Sequence, residues 1–277
     1  MEGPHSTPHS TPATPDPRLL ALLGDSIATP RPDGRPPLIG VAGCQASGKT
    51  TLCRAAAAAH GAAHFSIDDV YLTRAEREAL ARDVHPLLIT RGPPGTHDLA
   101  LARGAIEALS TAGEGDRTPI PAFDKLADDR LPPSDWPAFD GRPSAILIDG
   151  WCVGARAQAE AALAAPVNAL EAGEDPHGAW RRWWNAALAG PYADWFAGFD
   201  AILFLAAPSF AVVLDWRCEQ EAGLLGLAPA DLPPGRRARL ERFVAHYQRL
   251  TEHMLAGGIA ATAVALLDPD RQVLDLS

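Results

Sequence analysis

Leu38-Ile-Gly-Val-Ala-Gly-Cys-Gln-Ala-Ser-Gly-Lys-Thr-Thr-Leu52 carries an apolar run directly into a Gly-x-x-x-x-Gly-Lys-Thr pattern. Residues 38–42 have the composition of a buried strand, and the alanine-rich residues 52–59 favour a helix. The eight-residue pattern alone arises by chance in a chain rich in glycine and alanine. A preceding strand and a following helix are the setting that a phosphate-binding loop requires, so we interpret the pattern as one rather than as a surface glycine and serine loop.

Each residue type in this phosphate loop has a physical role. Backbone N–H groups in a glycine-rich turn converge on an anion, and glycines let the chain approach phosphate closely. Lys49 would contact the β- and γ-phosphates and Thr50 would offer its hydroxyl to Mg²⁺, while the next helix points its positive end at the same anion. The predicted nucleotide-binding residues are Gly43, Cys44, Gln45, Ala46, Ser47, Gly48, Lys49, Thr50 and Thr51.

Composition restricts the partners and the compartment. The 277 residues carry a formal net charge of −10, which argues against nucleic acid as the main partner. The four cysteines lack metal-binding or disulfide spacing, and no apolar run has membrane-spanning length, so we expect a cytoplasmic monomer. Residues 1–33 are rich in Pro, Ser, Thr and His and predict a disordered tail, in which residues 18–23 could begin a helix that packs on the domain formed by residues 34–277.

Strands that alternate with helices predict the fold class. Beyond the phosphate loop, the segments with strand character are residues 63–67, 145–149, 201–206 and 261–267. Those with helix character are residues 73–82, a segment that ends near 109, and residues 180–188, 212–225 and 233–255. The order predicts an α/β fold of the P-loop NTPase type, with a doubly wound parallel sheet of about five strands, helices on both faces, and a helical insertion or lid.

Acidic residues follow two of the predicted strands. Asp68 and Asp69 come directly after residues 63–67, and Asp149 ends the apolar run 145–149. Ligands of open parallel sheets bind at the carboxyl ends of strands, so we expect these carboxylates near the phosphates. A carboxylate that ends an apolar strand is costly unless it is paired or near a metal, which favours a Mg²⁺ role for Asp149 over simple capping of the next loop.

Five further motifs follow in a fixed order: Ser-x-Asp-Asp-x-Tyr-Leu, His-Pro-Leu-x-x-Thr-Arg-Gly-x-Pro-Gly-Thr-His-Asp, Phe-Asp-Lys-x-x-Asp-Asp-Arg, Gly-Trp-Cys-Val-Gly-Ala and Trp-Arg-x-x-Gln-Glu. With them, residues 36–277 resemble the D-glycerate 3-kinase family, P-loop kinases related to uridine, pantothenate and phosphoribulose kinases. The resemblance implies ATP-dependent, Mg²⁺-assisted phosphorylation of a small hydroxy acid, with D-glycerate as the first choice. Where that family usually has Glu before Gly-Trp-Cys-Val-Gly, this chain has Asp149.

Phosphoryl transfer needs positioning, charge neutralisation and an acceptor for the substrate's hydroxyl proton. The resemblance makes Asp68 the candidate base, acting with Lys49. The alternative for Asp68 is a turn cap, a role that Asp69 could fill instead. The candidate metal ligands are Thr50, Asp149 and Asp68.

Arg217 is the third candidate catalytic residue. It belongs to the Trp-Arg-x-x-Gln-Glu motif, and a lid at residues 212–234 could bring it over the phosphates to stabilise charge in the transition state. The alternative is an i,i+4 ion pair with Glu221 on a solvated helix.

Arg91 is the predicted reader of the substrate's carboxylate, because a planar guanidinium binds a carboxylate through two hydrogen bonds. N–H groups of a helix that begins near Thr96 would bind the same anion. The alternative is that Arg91 pairs with Asp98 or with a phosphate of ATP. The predicted substrate residues are Asp69, Tyr71, Arg91, His97 and Lys125, and for Lys125 a surface charge cluster is an equal alternative.

Two other functions stay open at the level of sequence. The first is a kinase of the same fold that acts on a nucleoside, pantothenate or a sugar phosphate. The second is a nucleotide-gated regulator, which is disfavoured because the chain lacks an Asn-Lys-x-Asp guanine-reading motif and an Asp-x-x-Gly switch after its apolar strands.

Overall fold

A six-stranded sheet flanked by helices forms the centre of residues 14–277, the part of the chain that the computed structural model describes. Its α-helices are α1 (Pro17–Ala28), α2 (Lys49–His60), α3 (Arg74–Asp83), α4 (Leu99–Thr111), α5 (Ala169–Glu174), α6 (Ala179–Ala187), α7 (Ala193–Phe196), α8 (Ala211–Leu225), α9 (Pro234–Ala245) and α10 (Gln248–Leu255). Its strands are β1 (Leu38–Gly43), β2 (Ala63–Ser66), β3 (Arg117–Pro119), β4 (Phe123–Asp124), β5 (Asp129–Arg130), β6 (Ala138–Asp140), β7 (Ile146–Gly150), β8 (Ala201–Ala206), β9 (Ala263–Leu267) and β10 (Val273–Leu276). Within residues 14–277, none of the helices is both long and apolar enough to span a bilayer.

The central sheet has the strand order β10-β9-β8-β1-β7-β2. Strands β2, β7, β1, β8 and β9 run parallel, and β10 pairs antiparallel with β9 at one edge. The predicted α/β fold with about five parallel strands is confirmed, and the antiparallel edge strand adds a sixth. Because parallel strands end at the same edge of a sheet, the residues that follow β1, β2 and β7 meet there.

Side chains of the central strands alternate between two apolar layers. Ile39 and Val41 of β1 face the layer that contains α1 and α2. Ala42 of β1 and Ile148 of β7 face the opposite layer, which contains α4 and the tryptophans of α6. Because both faces of the sheet are buried at these strands, their sequences are unbroken runs of apolar residues.

Helix α1 lies inside the segment assigned to a disordered tail. The Asp16 side chain caps it by accepting a hydrogen bond from the Arg18 N–H at 2.8 Å. Leu19, Leu23 and Ile27 follow at i, i+4 spacing and are buried against α2 and the sheet. The prediction of disorder therefore does not hold for Pro17–Ala28, where the minor alternative of a packed helix is realised. Residues 1–13 lie outside the described part of the chain.

Two predictions near the C-terminus are corrected. Residues 233–255 form two helices, α9 and α10, because the chain turns at His246 and Tyr247. Strand β9 begins at Ala263 rather than 261, and it is followed by β10, which the sequence prediction lacks. Arg271, in the turn between β9 and β10, has a left-handed backbone with a φ of 64°.

Candidate active site

The phosphate loop connects β1 to α2 at the edge of the sheet where the parallel strands end. Gly48 has a φ of 95°, a conformation that a residue with a side chain adopts only under strain. No side chain caps α2, so the N–H groups of its first turn are left for an anion. Lys49 Nζ donates to the carbonyl of Cys44 at 3.0 Å, which holds the ammonium over the loop. The geometry fits a bound phosphate.

Two polar atoms of the phosphate loop are buried without a partner. Within residues 14–277, neither Ser47 Oγ nor Gln45 Oε1 has a hydrogen-bond partner. A buried polar atom left unpaired costs free energy, so such atoms point to a ligand that completes them. Their position in the loop agrees with the predicted nucleotide site.

Asp149 lies between β1 and β2, where its backbone pairs with Val41 and Ser66. The carboxylate is buried, and it accepts a hydrogen bond from Thr50 Oγ1 at 2.9 Å while His64 Nε2 lies 2.7 Å from its other oxygen. Thr50 and Asp149 thus offer the oxygen ligands that Mg²⁺ prefers. His64 is the partner that the sequence prediction did not assign.

Asp68, just beyond β2, accepts two strong hydrogen bonds. The Tyr71 hydroxyl donates to Oδ1 at 2.6 Å, and Lys125 Nζ donates to Oδ2 at 2.9 Å. Burial disfavours the charged form, but the charge of Lys125, the two hydrogen bonds and the charge of Lys49 outweigh it and lower the pKa of Asp68 to about 2. At neutral pH Asp68 is an ionised carboxylate next to the phosphate loop.

Asp69 serves the backbone, and the prediction that it contacts substrate is not supported. Its Oδ2 accepts a hydrogen bond from the Ser66 N–H at 2.8 Å, in a capping box that opens the short turn Ile67–Val70. Burial, reinforced by the charge of Asp68, raises the pKa of Asp69 to about 6. The capping alternative considered for Asp68 is therefore filled by its neighbour.

His97 is buried against the Tyr71 ring, and its predicted contact with substrate stays a prediction. The buried imidazole stacks on the Tyr71 ring with 4.8 Å between centroids, and its Nδ1 lies 2.6 Å from the Tyr192 hydroxyl. Burial lowers the pKa of His97 to about 4 against the opposing charge of Asp68. A neutral histidine in this position holds the tyrosine that orients Asp68.

Arg91 forms an ion pair with Asp128, which differs from both partners considered for it. Its guanidinium lies over the Phe123 ring, with 5.5 Å between the guanidinium carbon and the ring centroid. The Tyr247 hydroxyl donates to the Arg91 carbonyl at 2.8 Å and fixes the backbone there. Arg91 Nη2 lies 3.4 Å from the carbonyl of Lys125, so the two predicted substrate cations are neighbours.

The loop after Arg91 does not present a free helix start. Thr96 is buried, where its hydroxyl accepts from the Gly92 N–H at 2.9 Å and donates to the Pro93 carbonyl at 2.8 Å. Helix α4 begins three residues later, and the Asp98 side chain caps it by accepting from the Leu101 N–H at 2.9 Å. The helix therefore begins later than predicted, its first turn is capped by Asp98, and an anion site there stays a prediction.

Arg217 adopts the ion-pair alternative in this structure. Its Nη2 lies 3.0 Å from Glu221 one turn along α8, and Glu221 also pairs with Arg236 of α9 at 3.1 Å. Within residues 14–277, the other terminal nitrogen of Arg217 is buried without a hydrogen-bond partner. One donor is therefore free for an anion, and the lid at residues 212–234 stays a prediction.

Arg271 is a contact to the phosphate loop that sequence reasoning missed. Its Nε donates to the carbonyl of Ala46 at 2.8 Å, and Ala46 has a strained φ of 60°. The guanidinium lies 4.7 Å from the Trp216 ring and donates to Glu219 at 2.6 Å. No spacing rule links position 271 to position 46, because the contact joins residues 225 apart.

Comparison with known proteins identifies two relatives of this chain by sequence. No protein-family model matches the chain. Over 213 residues it is 31% identical to the uncharacterized kinase mug58 of Schizosaccharomyces pombe, covering 70% of this chain and 73% of that protein. Over 206 residues it is 33% identical to the chloroplastic D-glycerate 3-kinase of Arabidopsis thaliana, covering 69% of this chain but only 42% of that longer protein.

Solved structures support the fold. The D-glycerate 3-kinase of Cryptococcus neoformans superposes with a TM-score of 0.71 over 94% of this chain and 96% of that one. At 20% sequence identity this similarity bears on the fold alone. The two sequence relatives, by contrast, show that the chain belongs to the D-glycerate 3-kinase family of P-loop kinases.

Proposed function

We propose that the protein uses ATP to phosphorylate D-glycerate to 3-phosphoglycerate. The observation that carries the proposal is the position of Asp68 beside the phosphate loop, with Lys125 on one of its oxygens and Arg91 next to Lys125. A small hydroxy acid needs a proton acceptor for its hydroxyl and a cation for its carboxylate, and this cluster supplies both. That the enzyme works as a cytoplasmic monomer is an expectation that rests on sequence alone.

The proposed reaction uses few protein groups. The acceptor's hydroxyl oxygen forms a bond to the γ-phosphorus, the bond from that phosphorus to ADP breaks with its electron pair, and the hydroxyl proton passes to Asp68. Lys49 and the N–H groups at the start of α2 hold the phosphates. Thr50 and Asp149 would hold Mg²⁺, which would supply positive charge to the phosphates when bound.

A panel of acceptors tests the proposal. ADP release is measured with D-glycerate, L-glycerate, pantothenate and uridine, and phosphorus NMR identifies the product isomer. We expect kcat/KM for D-glycerate to exceed that for the other acceptors by about a hundredfold or more, since a site built to hydrogen-bond its substrate rejects poor matches strongly. A preference for pantothenate or uridine would assign the protein to another activity of the same fold.

The Arg91→Lys variant tests the carboxylate subsite. A lysine keeps the charge but loses the planar fork, so we expect KM for D-glycerate to rise about tenfold or more and KM for ATP to change little. Arg117→Lys, an exposed cation on β3 that pairs with Asp140, is the matched control. Equal losses for the two substrates would move Arg91 to the nucleotide, and an unaffected enzyme would remove it from the site.

A further inference from the structure

Nearly all of the basic residues of this chain, counted as lysine plus arginine, are arginines. Of its 24 lysine and arginine residues only two are lysines, Lys49 and Lys125. Lys49 is in the phosphate loop and Lys125 is on the candidate base Asp68. Lysine carries its charge on a flexible stem with three rotatable donors, whereas arginine favours one fixed forked geometry. A lysine is therefore the cation suited to changing partners on Asp68.

The two partners of Asp68 differ in freedom. Tyr71 is buried and stacked on His97, so its hydroxyl is fixed. The Lys125 side chain is 55% exposed, and the Asp68 side chain beside it is 32% exposed. Both carboxylate oxygens already accept a hydrogen bond. Each oxygen has room for a second donor, but a hydroxyl that is to pass its proton to Oδ2 competes there with the Lys125 ammonium, and of the two donors Lys125 is the one that can leave.

The backbone around Lys125 allows its side chain to leave alone. Phe123 anchors the β4–β5 hairpin, buried with its ring edge on Tyr71 at 5.3 Å between centroids. Asp124 Oδ1 accepts from the Leu126 N–H at 2.8 Å and sets the turn, while the Leu126 side chain is fully exposed. The hairpin is thus ordered at its base and open at its tip, and movement of the ammonium requires no refolding.

We propose that Lys125 is a gate on Asp68 that the acceptor's own carboxylate opens, so that Asp68 takes the hydroxyl proton more readily when an acidic acceptor is bound. The proposal rests on the proposed kinase function and adds a specificity device to it. Withdrawing Lys125 from Asp68 separates two opposite charges, which is unfavourable unless another anion takes up the ammonium. Arg91 shares Asp128 with Arg77, and Lys125 beside it is the more exposed cation, so a carboxylate that binds between Arg91 and Lys125 can draw the ammonium away from Asp68.

The gate separates acidic acceptors from neutral ones of the same shape. D-glycerate brings the anion that holds Lys125 away from Asp68, and its hydroxyl then takes the vacated oxygen. Glyceramide, the neutral amide with the same hydroxyl groups, leaves Lys125 in place.

Kinetics of the Lys125→Met variant test the gate. Without the ammonium, Asp68 is open to any acceptor, so we expect kcat for glyceramide to rise about fivefold or more while kcat/KM for D-glycerate falls about tenfold, the scale of one charged hydrogen bond. Arg117→Met serves as the control for loss of a remote exposed cation. A glyceramide rate that is unchanged or lower would reduce Lys125 to a binding residue and overturn the gate.

The lysine count gives a second readout that does not depend on turnover. Protein made with ¹³C,¹⁵N-lysine has two lysine side-chain signals, and Lys125→Met assigns them. With a non-hydrolysable ATP analogue bound, D-glycerate should shift the Lys125 signal and saturating glyceramide should not. An unmoved Lys125 signal in an enzyme that phosphorylates D-glycerate overturns the gate alone. An enzyme that phosphorylates no acidic acceptor overturns the proposed function and the gate together.

Discussion

Asp68 and Asp69 stand next to each other in the chain and ionise over different pH ranges. Lys125 and Tyr71 help to hold the pKa of Asp68 near 2 against the effect of burial. Burial and the charge of Asp68 bring the pKa of Asp69 to about 6. Carboxylates with such different surroundings take different roles, and it is Asp68 that accepts a hydrogen bond from Lys125.

Replacing Asp68 with Asn should abolish most turnover while ATP still binds. The amide cannot take the hydroxyl proton, so kcat should fall by about 10²–10⁴-fold, the range of one general base. The dissociation constant for ATP, measured by calorimetry, should stay within about twofold because the phosphate loop is intact. Asp69→Asn is the neighbouring control, which should lose about 1 kcal/mol of stability through the weakened cap but keep most activity. Retention of activity in Asp68→Asn would exclude it as the base.

His97 should make stability depend on pH. Its folded pKa of about 4 is below the unfolded value of 6.5, so the unfolded state binds more protons between these values. The free energy of unfolding should therefore fall as pH drops from 6.5 to 4, by up to about 3 kcal/mol from this group. Urea unfolding at pH 7 and pH 4.5 measures the loss, and His97→Gln should remove that part of it. If the free energy of unfolding fell by the same amount in the unchanged protein and in His97→Gln, the pH dependence would come from other groups.

At the scale of the helices, a buried ion pair between Glu171 and Arg249 connects α5, in the segment between β7 and β8, to α10. Glu171 of α5 accepts two hydrogen bonds from Arg249 of α10, at 2.8 Å from Nε and 2.6 Å from Nη2. The remaining Arg249 nitrogen donates to the carbonyl of Ala162 at 2.6 Å. Both side chains are almost completely buried, so each charge depends on the other.

Replacing Glu171 with Gln tests that dependence. The change leaves a buried guanidinium without its counter-charge, and the free energy of unfolding should fall by about 3–5 kcal/mol. Asp140→Asn provides the contrast, since its pair with Arg117 is exposed and should contribute less than about 1 kcal/mol. Chemical denaturation at neutral pH measures both variants. Losses of similar size would mean that burial does not decide the strength of these pairs.

Elements defined by local pattern were predictable, and contacts between distant residues were not. The capping box at Thr73 starts α3 as its spacing indicates, and the phosphate loop joins β1 to α2 as the motif requires. Strand β10 and the pairing of Arg91 with Asp128 depend on neighbours supplied by other parts of the chain. Alternation of apolar residues, capping and motif spacing depend on residues that are close together in the sequence. They therefore cannot predict contacts such as those of β10 and Arg91, whose partners are distant in the sequence.

At the scale of the whole molecule, the β9–β10 hairpin supports the phosphate loop. Arg271 reaches from the hairpin to the Ala46 carbonyl and is itself braced by Trp216 and Glu219 of α8. One arginine thus joins the last hairpin, α8 and the nucleotide site. Its position connects the strained backbone of Ala46 to the edge of the sheet.

Replacing Arg271 with Ala should weaken nucleotide binding. Without the hydrogen bond to Ala46 the loop is less well organised, and the dissociation constant for ATP should rise about tenfold, the scale of one charged hydrogen bond. Arg239→Ala, an exposed cation on α9, is the control and should leave affinity unchanged. Calorimetry measures the ATP affinity of both variants. If Arg271→Ala bound ATP as tightly as the unchanged protein, the phosphate loop would not need the hydrogen bond from Arg271 to keep its shape.

The contact between α1 and β10 sets an order for folding. Arg18 donates to the carbonyl of Val273 at 2.6 Å across 255 positions of sequence. Closing so long a loop costs entropy before the contact repays it, so we expect α1 and β10 to meet late in folding. Since β10 is an edge strand, we also expect it to open locally while the core stays folded. Arg271 precedes Val273 by two positions, so we expect opening of β10 to release the Ala46 carbonyl from Arg271 as well. A late step of folding and the affinity for nucleotide would then depend on the same hairpin.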